Sequence, residues 1–505
     1  MTVVAHQAAA ELERRRRAAQ ARAESITLRE FVKEAWHVVE PSVPLVWGRH
    51  LDAIIEHLQA VTDGEIRRLK INVPPGHMKS LLVGVFWPSW MWLRSPHERY
   101  LATSNTATLA MRDAIKMRDV VRSEWYQRTF RPDWRLRGDI DAKGRFANTV
   151  QGERYSTGLT GTITGFRGDG IIIDDPLSAT DAHSEAVRTE TNRVIRETLS
   201  NRLNDPASSW MVSIMQRLHE DDPCGMWDDL GGWETLCLPS EYDDELARKY
   251  HPTCIGGGDW RTTPGALLFP ERFTPTVLES DRTILGSQGY AAQHGQRPAP
   301  AEGLLFRREW FTLVDRADMP LPGEVREKAI SVDASFGSEK DTASRVAIGL
   351  WWRHQGRVYR VAERVEAMSY TRTRAALVDF WQRHGQPDVY IENKANGPAL
   401  ISDLRETIPV IIPIETGSRD KQSRAHAVTP FVESGAVHLP RGAAWVDDWL
   451  HEVTQFPRGR NDDRVDEMVQ LLARWKTPPP TFAESPATRQ HGARVDRRDL
   501  LLGRR

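Results

Sequence analysis

The sequence predicts an α/β protein of two lobes, a parallel sheet with helices on both faces followed by a mixed sheet of five strands. Strand-like and helix-like segments alternate from residue 69 to about 238, the order that parallel strands with helical crossovers require. A second alternating series runs from Ala329 to Trp475, and three of its strand-like stretches precede its first helix. Between the two, residues 240 to 325 are rich in Pro, Gly and charge. At 505 residues the chain exceeds what one hydrophobic core usually organises.

From the N-terminus, residues 1–40 are predicted as a helical arm. Arg14 to Arg17 lie in an Ala/Glu/Arg-rich stretch with no apolar core after it, which excludes a secretory signal and fits a solvated helix. Strands of the first lobe, 41–240, are predicted at Leu69 to Val73, Tyr100 to Ser104, Gly170 to Asp174, Trp210 to Ile214 and Glu234 to Leu238. Residues 241–325, with Gly256 to Gly258 and the run Arg297-Pro298-Ala299-Pro300, read as an irregular lid or linker. In the second lobe, 326–475, strands are predicted at Ala329 to Ala334, Val346 to Trp352 and Val358 to Val361. Residues 476–505, with Pro478 to Pro480 and terminal Arg504 and Arg505, read as a disordered basic tail. The chain shows no internal repeat.

Composition narrows the function classes. A net charge of −1 means that any nucleic-acid-binding face must be local rather than global. Cys224, Cys237 and Cys254 have neither zinc-site spacing nor the numbers for a disulfide framework, which suits a reducing cytoplasm. The most apolar run, Leu81 to Leu93, is short for a membrane span and broken by Pro88.

Residues 71 to 80, Ile-Asn-Val-Pro-Pro-Gly-His-Met-Lys-Ser, carry a strand into a turn and deliver Lys79 and Ser80 to a helix. A phosphate loop uses backbone amides at a helix N-terminus, a Lys for the β and γ phosphates of ATP and a hydroxyl for Mg²⁺. Pro74 and Pro75 have no amide donors, so the cradle falls to Gly76, His77, Met78, Lys79 and Ser80. Val73 and Met78 stand where the motif has glycines, and an ordinary strand-to-helix turn is the alternative. Ile171-Ile172-Ile173 then empties into Asp174 and Asp175. Two adjacent carboxylates at the end of an apolar strand call for a cation, with Asp174 on Mg²⁺ and Asp175 on the attacking water. An Asp-Pro turn with solvated acids is the bland reading.

Phosphoryl transfer also needs positive charge at the γ-phosphate. Arg167, between glycines ahead of the Asp174 strand, is the first candidate finger, on its own subunit or on a neighbour and against a structural salt bridge, and Arg217 is the second. Gln216, at the end of the Trp210 strand, is placed to sense the γ-phosphate. Trp47, Arg49 and His50 are candidates to flank the adenine, against simple packing of Trp47.

In the second lobe, Asp333 lies in the strand-like Ser331-Val-Asp-Ala-Ser335 and Glu392 ends Val389-Tyr-Ile-Glu392. Asp462, Asp463 and Asp466 open the last helix-like stretch, with Asp466 sharing a face with either of the others. Hard oxygen ligands from two strands and a helix are what two Mg²⁺ or Mn²⁺ ions about 3.5 to 4 Å apart need for phosphodiester cleavage. A helix cap for Asp462, a surface acid for Asp466 and a strand-end charge for Glu392 are the structural alternatives. Asp341 is an auxiliary acid candidate against an ordinary loop residue, and Lys394 a candidate phosphate contact against a solvent-exposed lysine.

In combined order, Val73-Pro-Pro-Gly-His-Met-Lys-Ser80, Gly165-Phe-Arg-Gly-Asp-Gly-Ile-Ile-Ile-Asp-Asp-Pro176, Met215-Gln-Arg-Leu-His-Glu-Asp-Asp222, Ser331-Val-Asp-Ala334, Ile391-Glu-Asn393 and Asp462-Asp-Arg-Val-Asp466 resemble the large terminase subunit of tailed bacteriophages and prophages. Gln293-His-Gly-Gln-Arg-Pro298 looks like that family's link between halves. The resemblance implies an N-terminal P-loop ATPase domain of the additional-strand, ring-forming type and a C-terminal ribonuclease-H-like nuclease domain. It implies that Lys79, Ser80, Asp174 and Asp175 run ATP hydrolysis, and that Asp333, Glu392 and one or more of Asp462, Asp463 and Asp466 hold the nuclease metals. Double-stranded DNA, a portal protein and a small terminase subunit are the implied partners. The implied setting is the host bacterial cytoplasm, transiently on the prohead portal and absent from the mature virion, with no membrane. Met78 departs from the family's usual Gly, and Asp175 from its usual Glu. A helicase-nuclease of repair or restriction is the alternative, although residues 326 to 475 offer no second phosphate loop. A degenerate prophage assembly protein without turnover is another.

Overall fold

The computed structural model describes residues 2–161, 163, 165–298, 304–334, 345–394, 396–415 and 420–475, without the side chains of 2–10 and 12. The predicted tail and Asp341 lie outside the described residues.

Eight strands form the first sheet: β1 (Arg68–Asn72), β2 (Arg99–Ser104), β3 (Leu136–Ala142), β4 (Arg145–Asn148), β5 (Glu153–Gly158), β6 (Gly170–Asp174), β7 (Trp210–Met215) and β8 (Glu234–Cys237). Their order is β3-β4-β5-β2-β6-β7-β1-β8, with all pairs from β5 to β8 parallel and β3 and β4 antiparallel. The sequence predicts five of these strands. It misses β3, which is polar and nowhere fully buried, the four-residue β4, and β5, whose inward residues include the buried Arg154. β7 inserts between β1 and β6, pairing Met215 with Asn72 and Ile214 with Asp174. Parallel register therefore brings the C-terminal ends of β1, β6 and β7 to one edge.

The apolar Leu81 to Leu93 run belongs to a buried helix after β1, in which Leu82–Phe86 is π-wound and Trp87–Met91 returns to α geometry. Pro88 has no amide to offer the Gly84 carbonyl four residues back. Arg154 Nη1 donates to that carbonyl instead. Leu28–Val39, capped by a reciprocal Thr27–Glu30 box, buries Leu28, Phe31, Val32 and Ala35 in the same core. The N-terminal segment is thus a helix, Thr2–Ser25, mostly exposed over residues 13–25, followed by one that packs.

The second sheet comprises β9 (Thr312–Val314), β10 (Glu327–Asp333), β11 (Val346–His354), β12 (Arg357–Glu366), β13 (Asp388–Glu392), β14 (Ile411–Ile414) and β15 (Val437–Pro440). Its order is β14-β13-β10-β11-β12-β15-β9, and β11 runs against both neighbours while the other pairs are parallel. The predicted five-stranded mixed sheet is extended to seven by β15 and β9, which at four and three residues are too short to show periodicity. The Asp463–Trp475 helix lies across β10, where Ser331 Oγ donates to the Glu467 carbonyl at 2.7 Å. Gln470 Nε2 donates to Ser331 Oγ at 2.8 Å and to the Val332 carbonyl at 2.9 Å. Among the described residues no helix is long and apolar enough to cross a membrane.

Candidate active sites

Beyond β1 the chain reverses through Gly76 (φ 78°) and Met78 (φ 61°), both left-handed, before the helix begins at Lys79. A glycine adopts that conformation freely, whereas Met78 holds it at a cost of about 1–2 kcal/mol. The loop therefore keeps its shape without the motif's second glycine. Gly76 has no such latitude, because a Cβ there would stand 2.7 Å from Phe273 Cζ. His77 turns inward, stacked on Phe273 at 4.4 Å, and its carbonyl lies 3.2 Å from His50 Nε2. Burial pushes His77 down to about 3 and His50 to about 4, so both brace the loop as neutral rings. His50 lies behind the loop rather than on a base. Trp47 donates to Asp52 at 3.1 Å and lies under Lys33 and Arg29. Arg49 covers Trp260 at the wall of an open cavity that Tyr242 also lines.

At the shared sheet edge, Lys79 Nζ lies 2.9 Å from Asp175 Oδ1 and Ser80 Oγ donates to Asp174 Oδ1 at 3.0 Å. Asp175 leaves β6 at φ 39°, which turns it out of the strand line. Burial, then the neighbouring Asp175 and Asp113 carboxylates, push Asp174 well above the usual carboxylate range, while Lys79 and Ser80 pull it back. A hydroxyl and a buried carboxylate make a hard oxygen set that fits Mg²⁺.

Gln216 follows β7 at this edge, between the Lys79 loop and the Asp174 strand end. Its Oε1 is buried and accepts no hydrogen bond among the described residues. Neither predicted finger presents its guanidinium at this edge. Arg167 precedes β6, at the opposite end of the sheet, and donates to the Leu203 carbonyl at 3.3 Å. The intervening run of β6 puts it roughly 20 Å from Asp174 at the usual strand rise. Arg217 turns into the interior and is held by Asp222 at 3.1 Å, which also caps the Pro223–Leu230 helix. The sequence reading misses Arg112. Its guanidinium pairs with Asp113 at 2.9 Å, half exposed, and feels both Asp174 and Asp175. Only the β2–β6 adjacency brings it there, and no local signal marks it.

In the second lobe, β10 and β13 pair Val332 with Ile391, so Asp333 and Glu392 follow side by side at one edge. The Ser331–Gln470 contacts set the last helix so that Asp466 faces the same place. Arg424 lies 3.5 Å from both Glu392 Oε1 and Asp466 Oδ1, while Lys421 lies 2.6 Å from Asp466 and 2.9 Å from Asp462. Burial raises Asp466, opposed by Lys421. Asp463 is drawn elsewhere. It pairs with Arg345 at 2.9 Å, and Arg345 also holds Glu452, so Asp463 belongs to a structural ion cluster rather than to the acid edge. Glu467, adjacent to Asp466, is fully buried against Arg360 and accepts from Trp351 Nε1 at 2.6 Å. Gly349 makes room for that pair, since a Cβ would stand 2.4 Å from Glu467 Oε1.

Among the described residues no group of three His, Cys, Asp or Glu side chains is already closed around a metal position. Two cations are interposed instead. The converging carboxylates Glu392, Asp466 and Asp462, with Asp333 beside them, are nonetheless a donor chemistry that fits Mg²⁺ or Mn²⁺.

Residues 330–474 match the family model of the terminase RNase H-like domain, and this part of the chain is such a domain. No curated protein matches the chain. Among solved structures, the large terminase from a thermophilic bacteriophage is similar at 12% identity, covering 89% of this chain and 100% of that one with a TM-score of 0.47. The magnesium-bound large terminase nuclease from thermophilic phage G20c is similar at 16% identity, covering 35% of this chain and 99% of that one with a TM-score of 0.27.

Proposed function

We propose that this chain, whose residues 330–474 carry the terminase RNase H-like domain, is a large terminase subunit: an ATP-driven translocase of double-stranded DNA that also cuts it. The observation that carries the reading is that one chain joins this domain to a separate sheet edge where Lys79, Ser80, Asp174 and Asp175 converge. Residues 41–240 are assigned to ATP hydrolysis, 241–325 to the connection and 326–475 to cutting. Lys79 leaves Asp175 for the β and γ phosphates, and Asp175, then unpaired, orients the attacking water. Ser80 and Asp174 hold Mg²⁺, which supplies charge neutralisation on the phosphates. Gln216 offers its unpartnered Oε1 to the attacking water and its Nε2 to the γ-phosphate, and passes the state of the site into β7. Arg112 supplies positive charge from the same chain. Arg167, on the far edge, acts only on a neighbouring subunit in a ring.

At the second site Asp333, Glu392 and Asp466, with Asp462 at the rim, hold divalent metal, which supplies an activated water and stabilises the leaving oxygen. The partners that follow are duplex DNA, a portal, a small terminase subunit and further copies of this chain in the host cytoplasm. ATP turnover and Mn²⁺-dependent plasmid cutting, measured on one preparation, test the reading. Lys79→Ala is expected to abolish the first, and Asp333→Ala the second alone. Loss of both activities in both variants, or of neither, overturns it.

A further inference from the structure

The Lys421–His426 helix brings two cations into the acid edge, and one of them is incompletely bonded. Only 14% of the Arg424 side chain is exposed, and its Nε and Nη1 are buried without donating a hydrogen bond among the described residues. Its approaches to Glu392 and Asp466 are both 3.5 Å. Other arginines of this lobe pair closely, Arg464 with Glu363 at 2.6 Å and Arg345 with Glu452 at 2.6 Å. Arg424 is therefore attracted by the acids as a charge, while its planar fork of donors is left largely unspent.

Buried guanidinium donors need an acceptor. The acids can satisfy them poorly, because carboxylates that hold divalent metal give up their pairing with Arg424 and the metal's charge repels it. An anion arriving over the same acids with two oxygens in one plane does satisfy them. On the nuclease reading above, that anion is the backbone phosphodiester. We propose that Arg424 is a phosphodiester-binding residue of the cutting site, gripping the non-bridging oxygens of the strand to be cleaved. Lys421 differs in kind. Its ammonium already bonds Asp462 and Asp466, and it holds those carboxylates in place until metal and strand arrive. Position fits the assignment, since Arg424 reaches the strand-borne Glu392 and the helix-borne Asp466 together. The strand is thereby registered against both sources of ligands.

Fluorescence anisotropy of duplex DNA with the full chain, with Ca²⁺ on the acids in place of Mn²⁺ and across a salt series, tests the proposal alongside Mn²⁺ titration of the DNA-free protein. Arg424→Gln is expected to weaken DNA binding by about tenfold and to lower the salt slope by about one, with Mn²⁺ affinity kept or increased. In plasmid cutting the same variant raises KM for DNA. Arg424→Lys recovers the slope but not the full affinity, because a point charge replaces the fork. Unchanged DNA affinity and salt slope with weakened Mn²⁺ binding would make Arg424 a residue that merely orders the acids, and would overturn the proposal. The melting temperature of each variant controls for folding. Because the DNA-binding arm requires no turnover, it stays decisive even if Asp333→Ala shows that the cutting reading is wrong.

Discussion

Lys79 and Asp175 form an ion pair, Nζ to Oδ1 2.9 Å, in which the cation of the phosphate loop and the acid at the end of β6 satisfy one another. The pair joins the two halves of the first site before any phosphate is bound.

Separating the partners should separate binding from turnover. Lys79→Ala removes the phosphate contact, and nucleotide affinity is expected to collapse. Asp175→Asn leaves Lys79 available to phosphate while removing the base. Nucleotide should still bind, and turnover should fall by about 10² to 10⁴. Asp175→Glu restores a carboxylate with longer reach and should retain most activity. Fluorescent-nucleotide binding and phosphate release check each variant, and turnover surviving in Asp175→Asn would remove Asp175 from the chemistry.

The three arginines are predicted to fail in three different ways. Arg217→Ala strips the partner from the buried Asp222 and should destabilise the fold by about 3–5 kcal/mol, seen as a lower melting temperature. Arg112→Ala, on a half-exposed side chain, should leave melting nearly unchanged and lower ATP turnover in the isolated chain. Arg167→Ala, at the far end of β6, should lower turnover only under conditions where subunits assemble. A loss for Arg167→Ala in the dilute monomer equal to that of Arg112→Ala would contradict the edge assignment.

Ser331 sits at the hinge of the second site. Its hydroxyl donates to the Glu467 carbonyl and accepts from Gln470, so Ser331→Ala leaves buried groups unpaired at a cost of about 1–3 kcal/mol. Asp466 lies one turn before Gln470, and a small shift of the helix moves it away from Glu392. Plasmid cutting is therefore expected to fall much further than ATP turnover. Equal losses would indicate general destabilisation.

What could be read in the sequence follows what each residue's neighbours in the chain reveal. Lys79, Ser80 and Asp174 announce themselves because a β-run ends on them, and the same holds for Asp333 and Glu392. β7 is legible as a strand, but its insertion between β1 and β6 is a pairing choice that its own residues do not encode. Arg112, Lys421 and Arg424 sit on helices of ordinary polar pattern and acquire meaning only from the strand ends they face. Asp463 illustrates the opposite error: its helical spacing with Asp466 is right, yet Arg345, distant in sequence, claims it. Arg167 is out of reach of its own chain's Asp174 for a directional reason, since a residue before a strand lies at the opposite end of a parallel sheet from a site at the strands' C-termini.

A pH dependence follows from the junction between the lobes. His183, in the segment after β6, stacks on His426 of the arginine-bearing helix at 3.6 Å and 17°. Burial pushes His183 down to about 4 and His426 to about 3; around them His219 and Arg188 add to the lowering and Asp420 opposes it. Both rings are neutral in the folded chain, whereas in the unfolded chain each takes up a proton near its ordinary value of 6.5. Between those values the unfolded state binds more protons, so stability rises with pH. The contribution is complete above about 6.5 and is lost as pH falls toward the folded values. Buried His50 and His77 shift in the same direction and add to the slope. His426→Phe keeps an aromatic face on His183 and removes one titrating ring. The melting temperature of the variant is expected to match that of the parent at pH 7.5 and to decline less between pH 6.5 and 4.5. Parallel curves for the two proteins would place the acid sensitivity elsewhere.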